Sequence, residues 1–193
     1  MIRLLTLEDD LNQAAHILYQ TDPFIFPFLF GKPEKANIGL SKLMSLPNNS
    51  FSYLHTRVYI DSGLIKGLLI ETNPSDQLDE AKDFTESFKP ISLLRMALGQ
   101  LFLFPILKRH LEGRYIQNVC VDAPYRGQGI GKELLQDSIE RAKQDQIKAL
   151  YLDVSIKNPG ARKLYESYGF EVVKKRRIWG IIPVTYGMIK HID

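Results

Sequence analysis

Val119-Cys120-Val121-Asp122-Ala123-Pro124-Tyr125-Arg126-Gly127-Gln128-Gly129-Ile130-Gly131 is the stretch around which the rest of this chain is read. Apolar residues with strand character, Tyr115 to Val121, lead into it, and an amphipathic helix from Ile130 to about Gln144 leaves it. A strand that passes through a glycine-rich turn into a helix presents bare backbone N–H groups at the positive end of the helix dipole. That is an anion site, and phosphate is the usual anion. Glycine is needed because a side chain would hold the phosphate away from the backbone. Arg126 adds a permanent charge with a planar donor fork. The turn lacks the Gly-Lys-Ser/Thr ending of a P-loop, and its glycine spacing is not that of a dinucleotide-binding turn.

Working outward, a second block stands at Asn158-Pro159-Gly160-Ala161-Arg162-Lys163-Leu164-Tyr165-Glu166-Ser167-Tyr168-Gly169-Phe170. Asn158 suits a helix N-cap, Pro159 the first helical position, and Gly169 the left-handed stop after the last turn. Between the blocks lie the helix and a strand, Ala149 to Val154. The first block has the form Arg-x-x-Gly-x-Gly and the second Asn-x-x-Ala-x-x-Leu-Tyr-x-x-x-Gly-Phe. In that order and separation they resemble the GCN5-related N-acetyltransferase (GNAT) superfamily.

The resemblance implies an α/β fold, a mixed, mostly antiparallel sheet of about seven strands flanked by helices. It implies acetyl-CoA as acyl donor, with no metal, and direct transfer of the acetyl group to a primary amine. By the same resemblance the pyrophosphate sits on Arg126, Gly127, Gln128, Gly129, Ile130, Gly131 and Lys132. The pantetheine pairs with the strand at Val119, Cys120 and Val121 and meets Asn158 and Ala161. Tyr165 is the acid near the departing sulfur. The general base varies in the family. Glu71, Asp122 and Asp153 lie at or near strand ends, and Glu71 ranks first because its strand borders the cleft. The alternative on the same fold is a non-catalytic acyl-CoA-binding or regulatory module.

Bulk composition fits this reading without selecting it. The 193 residues are enough for one domain over residues 1–193. Hydrophobic residues at 45% and charged residues at 24% are those of an ordinary globular protein. A net charge of +3 is too weak to argue for nucleic acid but suits a polyanionic cosubstrate. The single cysteine, Cys120, rules out an internal disulfide and fits a cytoplasmic setting. The N-terminus does not read as a signal peptide. The four histidines, His16, His55, His110 and His191, show no metal spacing.

Upstream, Ile2 to Leu5 reads as a strand, and Thr6 caps a helix over about Leu7 to Tyr19 with Leu7 in its buried stripe. Thr21 to Pro33 carries three prolines, which exclude a regular helix, and four phenylalanines. It is either a loop folded on the core or an apolar wall of an acceptor pocket. A helix follows from about Glu34 to Leu46, then strands Phe51 to Ile60 and Leu64 to Thr72 joined at Asp61-Ser62-Gly63. Residues 74–113 are an insertion between the third and fourth strands. It carries a helix over Asp76 to Phe88, a break at Pro90, and an apolar run, Ile91 to Lys108. That run is a packed helix, a lid on the acceptor site, or a dimer contact, and its uncharged part is too short for the ~20 residues of a membrane span. Downstream, Glu171 to Arg177 and Val184 to Lys190 complete the sheet. The basic run Lys174 to Arg177 is a solvated strand edge or an anion contact. The apolar Trp179 to Pro183 loop faces core or substrate. The acceptor amine itself is not readable, and a homodimer stays open.

Overall fold

The computed structural model describes residues 1–21, 25–76, 78–103, 113–178 and 182–192. Seven strands form one sheet: β1 (Ile2–Leu4), β2 (Thr56–Asp61), β3 (Leu64–Thr72), β4 (Arg114–Val121), β5 (Ala149–Ser155), β6 (Glu171–Ile178) and β7 (Ile182–His191). Their spatial order is β1-β2-β3-β4-β5-β7-β6. Every neighbouring pair is antiparallel except β4 with β5, which are parallel. The connection between those two is the long helix α6 described below, as a parallel pair requires.

Among the described residues seven helices flank the sheet: α1 (Leu11–Tyr19), α2 (Ile25–Phe30), α3 (Pro33–Ser45), α4 (Glu80–Ser87), α5 (Pro90–Leu103), α6 (Ile130–Gln144) and α7 (Pro159–Ser167). They divide the apolar side chains between two cores. On one face Leu18, Leu40, Leu43, Leu68, Ile70 and Cys120 pack with residues of α2 and α5, including Phe26, Phe30 and Met96. On the other, Leu69, Leu134, Leu135, Leu152, Tyr165 and Phe170 pack α6 and α7 against the sheet.

Several expectations are corrected. First, α1 begins at Leu11, because Asp10 supplies the cap, accepting from the N–H groups of Asn12 and Gln13 at 3.0 Å each. Thr6 instead donates to Asp9, and Leu7 is exposed. Second, Ile25–Phe30 does form a helix despite its proline. Pro27 lies in the opening turn, where no intrahelical donor is lost. Third, Pro90 opens α5 rather than breaking the chain, and α4 is shorter than expected. The second strand also starts later, at Thr56.

The phenylalanines of the unusual segment are covered in part. Phe26 and Phe30 are buried, Phe28 is half exposed, and Phe24 lies outside the described residues. Phe30 stacks at 5.2 Å on Phe88, which stands 6.0 Å from Phe84. Aromatic contacts of this kind tie α2 to the insertion. The insertion can approach because α3 carries Gly39 where any Cβ would run into the Phe88 ring. In the basic run, Arg176 is buried and bonded to Asp153, while Lys174, Lys175 and Arg177 are exposed. Much of the Trp179–Pro183 loop and the end of the Ile91–Lys108 run lie outside the described residues, and so does His110.

Candidate active site

The parallel pair at the centre of the sheet is brief. Arg114, Tyr115 and Ile116 pair with Leu150, Tyr151 and Leu152, and no later residue of β4 pairs with β5. The cause lies on the other edge of β4. Ile70 pairs with Asn118 but Glu71 with Ile116, so Gln117 is an extra residue, a β-bulge. Such a bulge bends the strand and turns its later residues over. Ile116 accordingly packs on the α6 side and Cys120 on the α1 side. Past the bulge the amide of Asp122 points to β3, donating to the Lys66 carbonyl at 3.0 Å. Alternation then directs the N–H and C=O of Val119 and Val121 to the opposite, unpaired edge.

β4 ends in one 3₁₀ turn, Ala123–Tyr125, and the glycine turn follows. Gly127 has φ +79° and Gly129 φ +89°, and a Cβ built on either meets nothing within 4 Å. Both therefore need the left-handed region, and both face open space. The N–H groups of Gly127 through Gly131 have no hydrogen-bond partner among the described residues; the turn's internal bonds run from Lys132 and Glu133 to the Gly129 carbonyl. Gly129 caps α6 without a side chain, so these amides stand bare at the positive end of a 15-residue helix. That is a cradle which a diphosphate fits.

Between the turn and the α1 side of the sheet opens a cavity of about 1200 Å³. Its walls bring together Val119, Cys120, Val121, Arg126 and Asn158, which the sequence placed at the cofactor. Facing them are Tyr19, Gln20 and Thr21 at the end of α1, Gly31 and Lys32 between α2 and α3, and Arg95 of α5. Arg126 lies across the strand end. Its Nε donates to the Val121 carbonyl at 2.9 Å and its Nη2 to Gln20 Oε1 at 3.1 Å, while Gln20 Nε2 donates to Asp122 at 3.1 Å. Asn158 caps α7 by accepting from the Ala161 N–H at 3.0 Å. Gln128 donates weakly to the Pro124 carbonyl, and Lys132 is exposed.

Tyr165 is buried beside Phe170, ring centroids 5.9 Å apart. Burial, with a smaller contribution from the neighbouring Cys120 thiol, pushes its phenol up to about 12. The phenol has no hydrogen-bond partner among the described residues. The Cys120 thiol contacts the Ile17 carbonyl at 2.9 Å, and burial raises its pKa too, so it is a core thiol and not a nucleophile.

Glu71 must be reassigned. Its carboxylate is buried under α6, where it accepts from Ser138 at 2.6 Å and from Arg141, with Arg114 at 3.5 Å. Strand alternation puts Glu71 on the same face as Leu69, under α6 and away from the cavity. A base must reach the proton it takes, and Glu71 is held by two guanidinium groups on the wrong side. Of the other two carboxylates, Asp122 holds Gln20, and Asp153 binds Arg176 at 2.7 Å and Tyr115 at 3.1 Å. Among the described residues no group of His, Cys, Asp and Glu could hold a metal, and no helix is long and apolar enough to cross a membrane. Sequence reasoning missed Gln20, Lys32 and Arg95, because no motif marks a residue that joins a wall only through the packing of helices.

A bare-amide turn beside a parted parallel strand pair defines the acyl-CoA N-acyltransferase fold. A solved N-acetyltransferase from Staphylococcus aureus superposes with TM-score 0.78 over 98% of this chain and 100% of that one, at 21% identity. Another solved acetyltransferase, 29% identical, covers both chains fully with TM-score 0.73. The Acetyltransferase (GNAT) family matches residues 97–170. The alanine N-acetyltransferase of ribosomal protein bS18 from Escherichia coli is 34% identical over 89 residues, 46% of this chain and 59% of that protein. The match to N-alpha-acetyltransferase 30 of Saccharomyces cerevisiae is 33% identical over 61 residues, 32% of this chain and 35% of that one. This chain thus spans about 59% of the bacterial relative's length. The chain has the acyl-CoA N-acyltransferase fold and is similar to the GNAT family over residues 97–170.

Proposed function

We propose that this chain is an acetyl-CoA-dependent N-acetyltransferase acting on the α-amine of a peptide. The observation that carries the reading is the run of five unpartnered N–H groups, Gly127 to Gly131, next to the open edge of β4. The amides take the pyrophosphate, and Arg126 leaves the Val121 carbonyl to join them. Val119 and Val121 then take the pantetheine as an added strand would be taken. An N–H of this edge stabilises the thioester oxygen as charge builds on it. Asn158 at the rim steadies the arm.

The amine nitrogen attacks the thioester carbon, the C–S bond breaks, and one proton passes from nitrogen to solvent as sulfur leaves as thiolate. Tyr165 lends that thiolate a hydrogen bond. With the phenol near 12 and a thiol near 8.5, outright proton transfer is uphill by roughly three orders of magnitude. Tyr165 therefore donates without letting go, and the sulfur takes its proton from water. Deprotonation of the incoming amine is assigned to solvent, which suits an α-amine. With a pKa of about 8, roughly a tenth of it is free base at pH 7, against well under a thousandth for a lysine side chain. The activities in the names of the bacterial and yeast relatives, alanine N-acetylation and N-alpha-acetylation, point the same way.

The reassignment of Glu71 favours the second reading, a cofactor-binding module without turnover. One experiment separates the two. Acetyl-CoA is offered with peptides bearing a free α-amine, with N-blocked lysine peptides and with polyamines. The transferase reading expects α-amine turnover, and Tyr165→Phe should lower kcat by about 10–100-fold while leaving CoA affinity intact. Binding of CoA with no transfer to any acceptor establishes the module instead.

A further inference from the structure

Resting on the transferase reading, we infer that the acceptor peptide carries an acidic side chain next to its amine, and that Arg95 of the insertion selects it. Among the described residues, the charged side chains lining the cavity are Lys32, Arg95 and Arg126, all cationic. Arg126 belongs to the cofactor turn. Lys32 and Arg95 do not: they come from the link between α2 and α3 and from α5, which pack with the core on the α1 side of the sheet. The turn, α6 and α7 belong to the opposite core. The cofactor grip and this cation pair therefore enter one cavity from opposite faces, as donor and acceptor must.

Arg95 is held ready. Its Nη2 donates to the carbonyls of Phe28 at 3.1 Å and Pro27 at 3.4 Å, at the C-terminal end of α2, where a cation is favoured. Its Nη1 lies over Gly31, where a Cβ would come to 3.3 Å. Gly31, at φ +86°, leaves that nitrogen room. Two of the five guanidinium N–H donors face the carbonyls at most, which leaves donors for a carboxylate. Lys32 is exposed at the rim and makes no ion pair among the described residues. An acceptor with a second positive group meets two like charges here, whereas one with a carboxylate beside the amine gains a charge-assisted pair. The insertion that interrupts the family pattern thereby acquires a task, choosing among peptides by charge.

The test uses three peptides of identical length with free N-terminal alanine and Glu, Gln or Lys in second place. Binding to the CoA-loaded protein is read by calorimetry, and initial rates are read with acetyl-CoA. The Glu peptide should bind about tenfold more tightly than the Gln peptide, with the Lys peptide weakest. Arg95→Glu should invert the order of the Glu and Lys peptides and leave CoA affinity unchanged. Lys32→Glu, at an exposed site, should shift the order the same way by a smaller factor. Equal binding of the three peptides overturns the inference, and so does an Arg95→Glu protein that weakens for CoA while ranking peptides as before. Because binding is measured without turnover, a protein that ranks the peptides as stated and transfers nothing sinks only the transferase reading. One that acetylates all three equally sinks only the choice by charge.

Discussion

The two walls of the cavity are made of different material. The wall formed by β4 offers main chain at the unpaired edge of Val119 and Val121, and the glycine turn just beyond it adds five bare N–H groups and two left-handed glycines. The facing wall is side chain, with Tyr19 and Gln20 from α1, Lys32 from the α2–α3 link, and Arg95 from the insertion. A main-chain wall suits a partner that never changes, because almost any other side chain can be substituted around it without altering what it offers. A side-chain wall suits the partner that distinguishes one protein of this fold from another. The difference teaches where constancy and novelty can coexist in one slot.

The comparison is sharpened most by a residue on neither wall. Removing the Glu71 carboxylate with Glu71→Ala leaves Arg141 and Arg114 buried without their shared partner, and should cost about 3–5 kcal/mol in urea unfolding. Glu71→Gln, if soluble, should keep the wild-type pH profile of turnover. Loss of that profile would return Glu71 to the chemistry and break the division of labour. Next in size is Gly129→Val, which forces a β-branched residue to φ +89° and screens the amides. CoA affinity should fall by about 100-fold or more in calorimetry. If it does not, the near wall is not read through its backbone.

The smallest expected effect concerns what anchors the far wall. Arg3 of β1 grips Asp9 at 2.6 Å just before α1, the helix that carries Gln20. The bond to Arg3, helped by Thr6, holds the Asp9 carboxyl down at about 2. Its unfolded value is near 3.9, so the fold gains from the ionised form above that pH and loses the gain as pH falls from about 4 through 2. Asp9→Asn should cost about 1 kcal/mol at neutral pH, after discounting for solvent on Arg3. The gap to wild type should close by about pH 2 in chemical denaturation. A gap that persists there would mean the pair is not the cause.

How much was legible in the sequence follows the same line. Strand, turn and helix around Arg126 could be read because a bare-amide turn demands glycine, and glycine is visible in a string of letters. Asn158, Pro159 and Gly169 marked α7 for the same kind of reason, each fixing its own backbone. Glu71 could not be placed: it follows Leu69 to the α6 face by plain alternation, but which residues of the neighbouring β4 turn toward which face past Ile116 is decided by one extra residue at Gln117. No local pattern announces a bulge in an apolar strand. The short helix α2 was missed because three prolines outweighed a six-residue element whose stability comes from Phe26 and Phe30 packing on neighbours far along the chain. Arg95 and Lys32 belong to the same class of surprise.

The clasp of Arg126 on the Val121 carbonyl has a consequence for the resting protein. A seam in the middle of a sheet is as sticky as any raw border, ready to zip up with a stranger's backbone. The guanidinium covers one acceptor of that seam, the Val121 carbonyl. A residue expected to catch phosphate thereby also leaves the bare border one acceptor fewer to offer a stranger.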